Sequence, residues 1–424
     1  MSGLVRVKDC IEGIEFKQIE PSLKALAILL GLFSLFHVPE LTNFTLSIDD
    51  EYAAFRDQPE VWITQGRWVA YLFERFVMPM PVVPFLPLAL FGFFCSIGYL
   101  FFLRAIGERY ATPLSFAFFP LFSSFPIWAH LTAFQSNTPS AALGVLLSCA
   151  AASLYRKERE QPESIGRGFS LITHIALIGF LGAAATACYQ SFILFLGVAL
   201  LASLISMHLS NRPARLLLKD FLLVLAILAI SIILYMLILK FCLFITNVKV
   251  EYIQGFLRPE ILFNRPGRVL SDLFRKLGNV YFGHSTVYGI NARSFAVIFF
   301  LAAAGIVNRA YSVAGLRGVF WAILSILALM FVPFGINLMS GGIMPLRSLV
   351  AVPVAFAGLG LLGFKYAPAC LSRVGILALL LAYFAIFQIS SGFNAARQLV
   401  QVHDHEMAGA ISERIAQVVG HANP

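Results

Sequence analysis

Long unbroken apolar runs follow one another along this chain, separated mostly by short polar stretches. The runs fall at about 22–41, 82–103, 113–129, 139–155, 169–187, 190–208, 220–245, 294–308, 318–335, 348–364 and 374–391. A helix needs roughly 20 apolar residues to cross a bilayer, so the pattern predicts about eleven transmembrane helices. Pro113, Pro120 and Pro126 interrupt one run, and little more than Tyr189 separates two others. Two polar connections are long, about 42–81 and 246–293, and both predict short helices lying on the membrane face, one of them near Arg268–Leu277. Beyond the last run, residues 394–419 keep helical spacing with mixed charge and predict a surface helix rather than a further crossing. The expected organisation is a transmembrane domain over 1–391 and a helical tail over 392–424. No internal repeat is evident, which counts against a transporter built from two related halves.

Composition agrees. Apolar residues make up 59% of the chain and charged residues 12%, with mean hydropathy +0.82. Soluble domains carry about 25% charged residues. A transmembrane β-barrel would alternate in segments of about ten residues, and these runs are continuous. The reading is an all-α polytopic membrane protein. The net charge of +9 reflects basic short loops and contact with anionic lipid rather than nucleic acid. Arg104 and Arg109, Arg156 to Arg167, Arg212 to Lys219, Arg309 and Arg317, and Lys365 and Arg373 fall in alternate loops. The opposite short loops, 130–138 and around Tyr189, hold no Lys or Arg. The positive-inside rule then puts the N-terminus in the cytoplasm and, with an odd number of crossings, the C-terminus outside. The acidic residues Asp9, Glu12, Glu15 and Glu20 argue against a cleaved signal peptide. The six cysteines are scattered without metal-ligand spacing.

Against this background the run Asp49-Asp50-Glu51, just after the first crossing, stands out. Adjacent carboxylates repel one another and resist desolvation. One could serve as a general base toward a hydroxyl nucleophile. Two could hold a divalent cation through oxygen ligands. A third reading is a helix start, with Ser47 as cap and Asp50 three residues on. Further along the same connection stands Gln65-Gly66-Arg67-Trp68. Here a guanidinium could grip phosphate in bidentate fashion, beside a glycine that permits close backbone approach. Trp68 suits a sugar ring or an interfacial aromatic belt. His403-Asp404-His405-Glu406 lacks a metal-binding pattern, and its two histidines do not share a helical face. His130 and His284 fall on the outer side. So do Arg56, Arg75, Arg258, Arg265, Arg268, Lys276 and Arg293, which read mainly as solvated or headgroup contacts.

The acidic triplet, the Gln65-Gly66-Arg67-Trp68 motif and the topology together resemble the Gtr-type glucosyltransferases that modify bacterial O-antigen, within the GT-C class of membrane glycosyltransferases. Tyr189-Gln190 in a tight outer turn and Pro345-Leu346-Arg347 at the head of a late crossing echo the same family. The resemblance implies a multi-pass protein of the bacterial inner membrane. It would move a hexose, glucose by family default, from undecaprenyl-phosphate sugar to O-antigen or a related lipopolysaccharide on the periplasmic face, with inversion and as part of serotype conversion. By that likeness Asp50 or Asp49 is the base, Asp50 the favoured of the two, and Glu51 orients the acceptor. Arg67 and Arg347 neutralise the donor phosphate, and Gln65, Trp68, Tyr189 and Gln190 contact the sugar or acceptor. Arg347 could equally snorkel at a helix end. No cofactor is implied beyond a divalent cation that Asp49, Asp50 and Glu51 could hold. A lipid-linked saccharide flippase or a polysaccharide polymerase is the competing class. Charges concentrated in loops and at span ends, rather than inside spans, favour an enzyme working at one face.

Overall fold

The computed structural model describes residues 16–55, 58–78, 83–110, 112–160, 167–210, 214–249, 258–342 and 345–420. It is helical throughout, without strands among the described residues. In chain order the helices are α1 (Phe16–Phe36), α2 (Val38–Thr42), α3 (Ile48–Phe55), α4 (Val61–Thr64), α5 (Trp68–Phe76), α6 (Leu86–Ala105), α7 (Pro113–Ser123), α8 (Ala129–Thr132), α9 (Thr138–Glu160) and α10 (Arg167–Cys188). They continue as α11 (Phe192–Leu209), α12 (Ala214–Thr246), α13 (Pro259–Asn264), α14 (Pro266–Tyr281), α15 (Ser285–Tyr288), α16 (Ser294–Phe331), α17 (Gly335–Met339), α18 (Ala351–Lys365) and α19 (Ala369–Gly420). Among the described residues seven helices are long and apolar enough to cross a membrane, and 22–36, 113–123 and 351–365 are shorter apolar helices. Every expected apolar run falls on these elements, and the protein is an all-α polytopic membrane protein.

Three details depart from the simple pattern, each for a local reason. α16 carries two expected crossings in one piece, broken where Ala314 leaves the helical region and Gly315 takes φ +59°. α7 spans only about 16 Å, too short to cross alone. It starts on a Thr112–Ser115 capping box and gives way at Ser124, short of Pro126. The irregular stretch that follows is buried in protein, and Trp128 donates its indole N–H to the Phe122 carbonyl at 2.7 Å. Non-helical backbone survives at membrane depth only under such cover. Finally, no break separates the last crossing from the tail, because α19 runs as one helix of 52 residues.

α9 packs against α6, α10 and α11, and α18 packs against α7, α11 and α16. Small residues let helices touch: a Cβ on Gly305 would meet the Gly363 carbonyl at 2.1 Å. The alternating direction of the crossings brings α2–α5, α8, the Tyr189 turn, α13–α15, α17 and the start of α18 to one end of the bundle. Both long polar connections therefore contribute their short helices to the same end.

Candidate functional site

α3 begins with the reciprocal cap its sequence announces. The Asp50 N–H donates to Ser47 Oγ at 3.3 Å, while Asp50 Oδ2 accepts from the Ser47 N–H at 3.1 Å and from Ser47 Oγ at 2.8 Å. The same carboxylate reaches across the fold. Oδ2 also accepts from the Gln135 N–H at 3.0 Å, and Oδ1 accepts from the Ser136 N–H at 2.9 Å. Asp50 is fully buried. Three of these donors meet on Oδ2 and one reaches Oδ1, so both oxygens are tied to protein groups. Asp50 thus pins α3 to the turn between α8 and α9, while its neighbours Asp49 and Glu51 face outward and are exposed.

That turn, Ala133–Asn137, is the hub of this end of the molecule. The Ala133 carbonyl accepts from Arg397 Nη2 at 3.0 Å, and the same nitrogen reaches the Thr45 carbonyl at 3.3 Å. The Arg347 guanidinium lies 4.6 Å over the Phe134 ring, in a cation–π contact. Asn137 Oδ1 accepts from Arg67 Nη1 at 3.4 Å. One five-residue turn therefore gathers the buried acid and three arginines from three distant parts of the chain. Arg347 stands on a short 3-10 turn, Leu346–Ser348, that rests against α8.

Arg67 is held from behind. Gly66 adopts φ +73°, a left-handed turn that a side chain would strain. The Gly66 carbonyl accepts from the Tyr235 hydroxyl at 3.0 Å, and the Gln65 carbonyl accepts from Gln190 Nε2 at 2.5 Å. The guanidinium then sits 4.7 Å over the Tyr189 ring and 5.5 Å over Trp62. The side chains of Tyr189 and Gln190, expected at sugar hydroxyls, thus engage protein groups that set the position of Arg67, while Gln65 takes part through its backbone carbonyl. Trp68 packs in the core, 5% exposed.

An open cleft of about 800 Å³ lies beside this hub, between α3 and the projecting part of α19. Glu51 lines one side. Gln398, Gln401, Asp404, His405 and Glu406 line the other. Asp404, His405 and Glu406 of the cluster 403–406 thus face a cavity together with one member of the acidic triplet. Among the described residues no group of three or more His, Cys, Asp or Glu is placed to hold a metal ion. His130 stacks edge-on against Phe393, and burial lowers its pKa below the usual histidine value. His284 caps α15 by accepting from the Thr286 N–H. Arg75, Arg258, Arg265, Arg268 and Arg293 are exposed, and Arg56 lies outside the described residues. Lys276 donates to Asn337 Oδ1 at 3.0 Å, and burial lowers its pKa against the opposing pull of Asp272.

The partners missed in the sequence are the Ala133–Asn137 turn, Tyr235 and Arg397. The one signal for the turn is a polar string, Gln135-Ser136-Asn137-Thr138, breaking an otherwise apolar stretch.

A many-pass helical bundle with acids and arginines meeting at one end is the layout of a membrane-embedded transferase rather than of a soluble enzyme. Residues 39–364 match the family model described as Glucosyl transferase GtrII. The chain belongs to that family. Comparison with curated proteins and with solved structures returns no match. The family match ends at 364, so α19 lies beyond it.

Proposed function

We propose that the protein transfers glucose from a polyprenyl-phosphate donor to O-antigen or a related surface polysaccharide, at the periplasmic face of the bacterial inner membrane. The observation that carries this reading is the convergence of Asp50, Arg67, Arg347 and Arg397 on the Ala133–Asn137 turn beside a cleft lined by Glu51. Membership of a glucosyltransferase family supports the sugar. The basic loops Arg104–Arg109, Arg156–Arg159 and Arg309–Arg317 lie at the other end of the bundle, which supports a periplasmic site.

In this reading Asp50 positions and Glu51 reacts. Asp50 is fully buried, and both of its oxygens are engaged in the bonds that dock α3. Glu51 is exposed on the cleft and takes the acceptor hydroxyl's proton. The acceptor oxygen bonds to the anomeric carbon as the bond from that carbon to the donor phosphate oxygen breaks. The polyprenyl phosphate leaves with the electron pair, and the configuration inverts. Arg347, with Arg67 beside the same turn, stabilises the charge gathering on the leaving phosphate. The polysaccharide lies in the cleft against Gln398 and Gln401, whose amides suit sugar hydroxyls. The three carboxylates need hold no divalent cation, because Asp50 is turned inward onto N–H and O–H donors while Asp49 and Glu51 face outward. Chelation is therefore expected to leave the rate unchanged.

The test is transfer of labelled glucose from polyprenyl-phosphate glucose to polysaccharide by purified protein, comparing wild type with Glu51→Gln, Asp49→Asn and Asp50→Asn at equal folded amounts. Full activity in Glu51→Gln would remove it as the base. Movement of lipid-linked sugar across vesicles without a new glycosidic bond would make the protein a flippase instead.

A further inference from the structure

At the end of the bundle opposite the site, α11, α12 and the second half of α16 enclose a cavity of about 380 Å³. Leu201, Leu204, Ile205, Phe221, Leu324 and Ala328 give it an apolar wall. Its volume lies in the range of about 300–1,000 Å³ typical of small-molecule sites. One polar ring intrudes. His208 is 9% exposed and lines the cavity, and among the described residues neither of its ring nitrogens has a hydrogen-bond partner. A dry apolar void is tolerable, but a buried imidazole with nothing to bond is costly. The site asks for an occupant that is greasy along its length and carries an oxygen where the histidine stands.

The surroundings say where that occupant comes from. Leu218, Phe221, Trp321 and Leu324, at the cavity mouth, are 61%, 42%, 40% and 47% exposed on helices that cross the membrane. The mouth therefore opens sideways into lipid. His208 stands one residue before the end of α11, about 1.5 Å of helix rise from it, the depth at which lipid chains meet their headgroups. Immediately beyond, Arg309 Nε donates to the Leu209 carbonyl at 3.1 Å, and Lys219 is exposed at the start of α12. The cavity thus offers, in order, an apolar slot, a neutral hydrogen-bonding ring and cations.

We propose that this cavity is a binding site for an anionic glycerophospholipid of the bilayer. One acyl chain fills the slot, the ester carbonyl accepts from the His208 N–H, and the phosphate faces Arg309 and Lys219. The site is independent of the transfer reaction at the other end.

Native mass spectrometry and thermal denaturation of the detergent-solubilised full chain, with phosphatidylglycerol or phosphatidylcholine added, test this. Wild type is expected to retain one phosphatidylglycerol and to gain several degrees in Tm from it, and phosphatidylcholine to bind at least tenfold more weakly. Ser325→Phe fills the slot and His208→Phe removes the hydrogen bond. Both are expected to lose the bound lipid and the Tm gain while keeping glucosyl transfer. Leu237→Phe, on an exposed face of α12 away from the cavity, is expected to behave as wild type. Undiminished phosphatidylglycerol binding by Ser325→Phe, or equal binding of the two lipids by wild type, would overturn the proposal. So would occupancy by polyprenyl phosphate that phosphatidylglycerol fails to displace.

Discussion

The hub of the site end handles charge differently from the opposite end of the bundle, although Arg275 and Asp272 also pair at the site end. At the end away from the site, cations meet carboxylates. Arg159 Nη2 lies 2.6 Å from Asp220 Oδ1, and Lys365 Nζ lies 2.6 Å from Glu108 Oε1. At the site end, Arg347 rests on a ring and Arg397 on two carbonyls, and the buried Asp50 is bound by N–H and O–H donors. One turn keeps Asp50 and Arg397 close enough to feel each other's charge, while the hydrogen bonds of each go to other groups. A pair that cancels holds helices together. Charges held by neutral partners stay available to a charged substrate, which is what an anionic leaving group requires.

The largest expected effects test whether the hub is the reactive place. Glu51→Gln is expected to lower turnover about 10²–10⁴-fold, as for loss of a general base. Arg347→Gln is expected to lower it about 10²–10³-fold, as for loss of one group stabilising developing charge. Neither should move the unfolding midpoint, and a rate within threefold of wild type in both would erase the contrast. Asp220→Asn and Asp50→Asn sharpen it. Breaking the largely buried Arg159–Asp220 pair should cost about 3–5 kcal/mol of stability yet leave transfer per folded molecule intact. Asp50→Asn should abolish transfer and also expose α3 to proteolysis, because an amide cannot accept all four bonds and each hydrogen bond to a charged group contributes about 1.5–3 kcal/mol.

A smaller effect is expected at Gly66→Ala, where φ +73° costs a side chain about 1–2 kcal/mol. Transfer should fall more than stability does, since the strain displaces Arg67. The smallest concerns His130, whose folded-state pKa lies below its unfolded value because burial disfavours the charged ring. The unfolded chain then binds the extra proton, so this contribution to stability is present above pH about 6.5 and fades as pH falls. Urea titrations at pH 5 and pH 7.5 should show a steeper acid loss for wild type than for His130→Phe.

Much of this was legible in the chain because membrane helices announce themselves. An apolar run of about 20 residues has few alternatives, so α6, α9, α11 and α12 follow almost directly from hydropathy. The cap at Ser47–Asp50 was also legible, since it is a local three-residue relation. What the sequence did not reveal is long-range. Asp50 meets Gln135 and Ser136 across some 85 residues, and Arg397 reaches back 264 positions to Ala133. Those partners are backbone groups, which carry no side-chain signature. The expected division of roles within the triplet likewise depended on which acid points inward, a rotation about α3 that three consecutive acidic residues do not encode. The continuity of α19 escaped because its polarity changes along its length while its backbone does not.

The most direct measurement is glucosyl transfer by purified protein from labelled polyprenyl-phosphate glucose to polysaccharide, run side by side with Glu51→Gln and Arg347→Gln. The account predicts label in a new alkali-stable glycosidic linkage with wild type and a loss of at least 10²-fold with each variant. Polymer that stays unlabelled with folded wild-type protein, or labelling that persists in both variants, would contradict it.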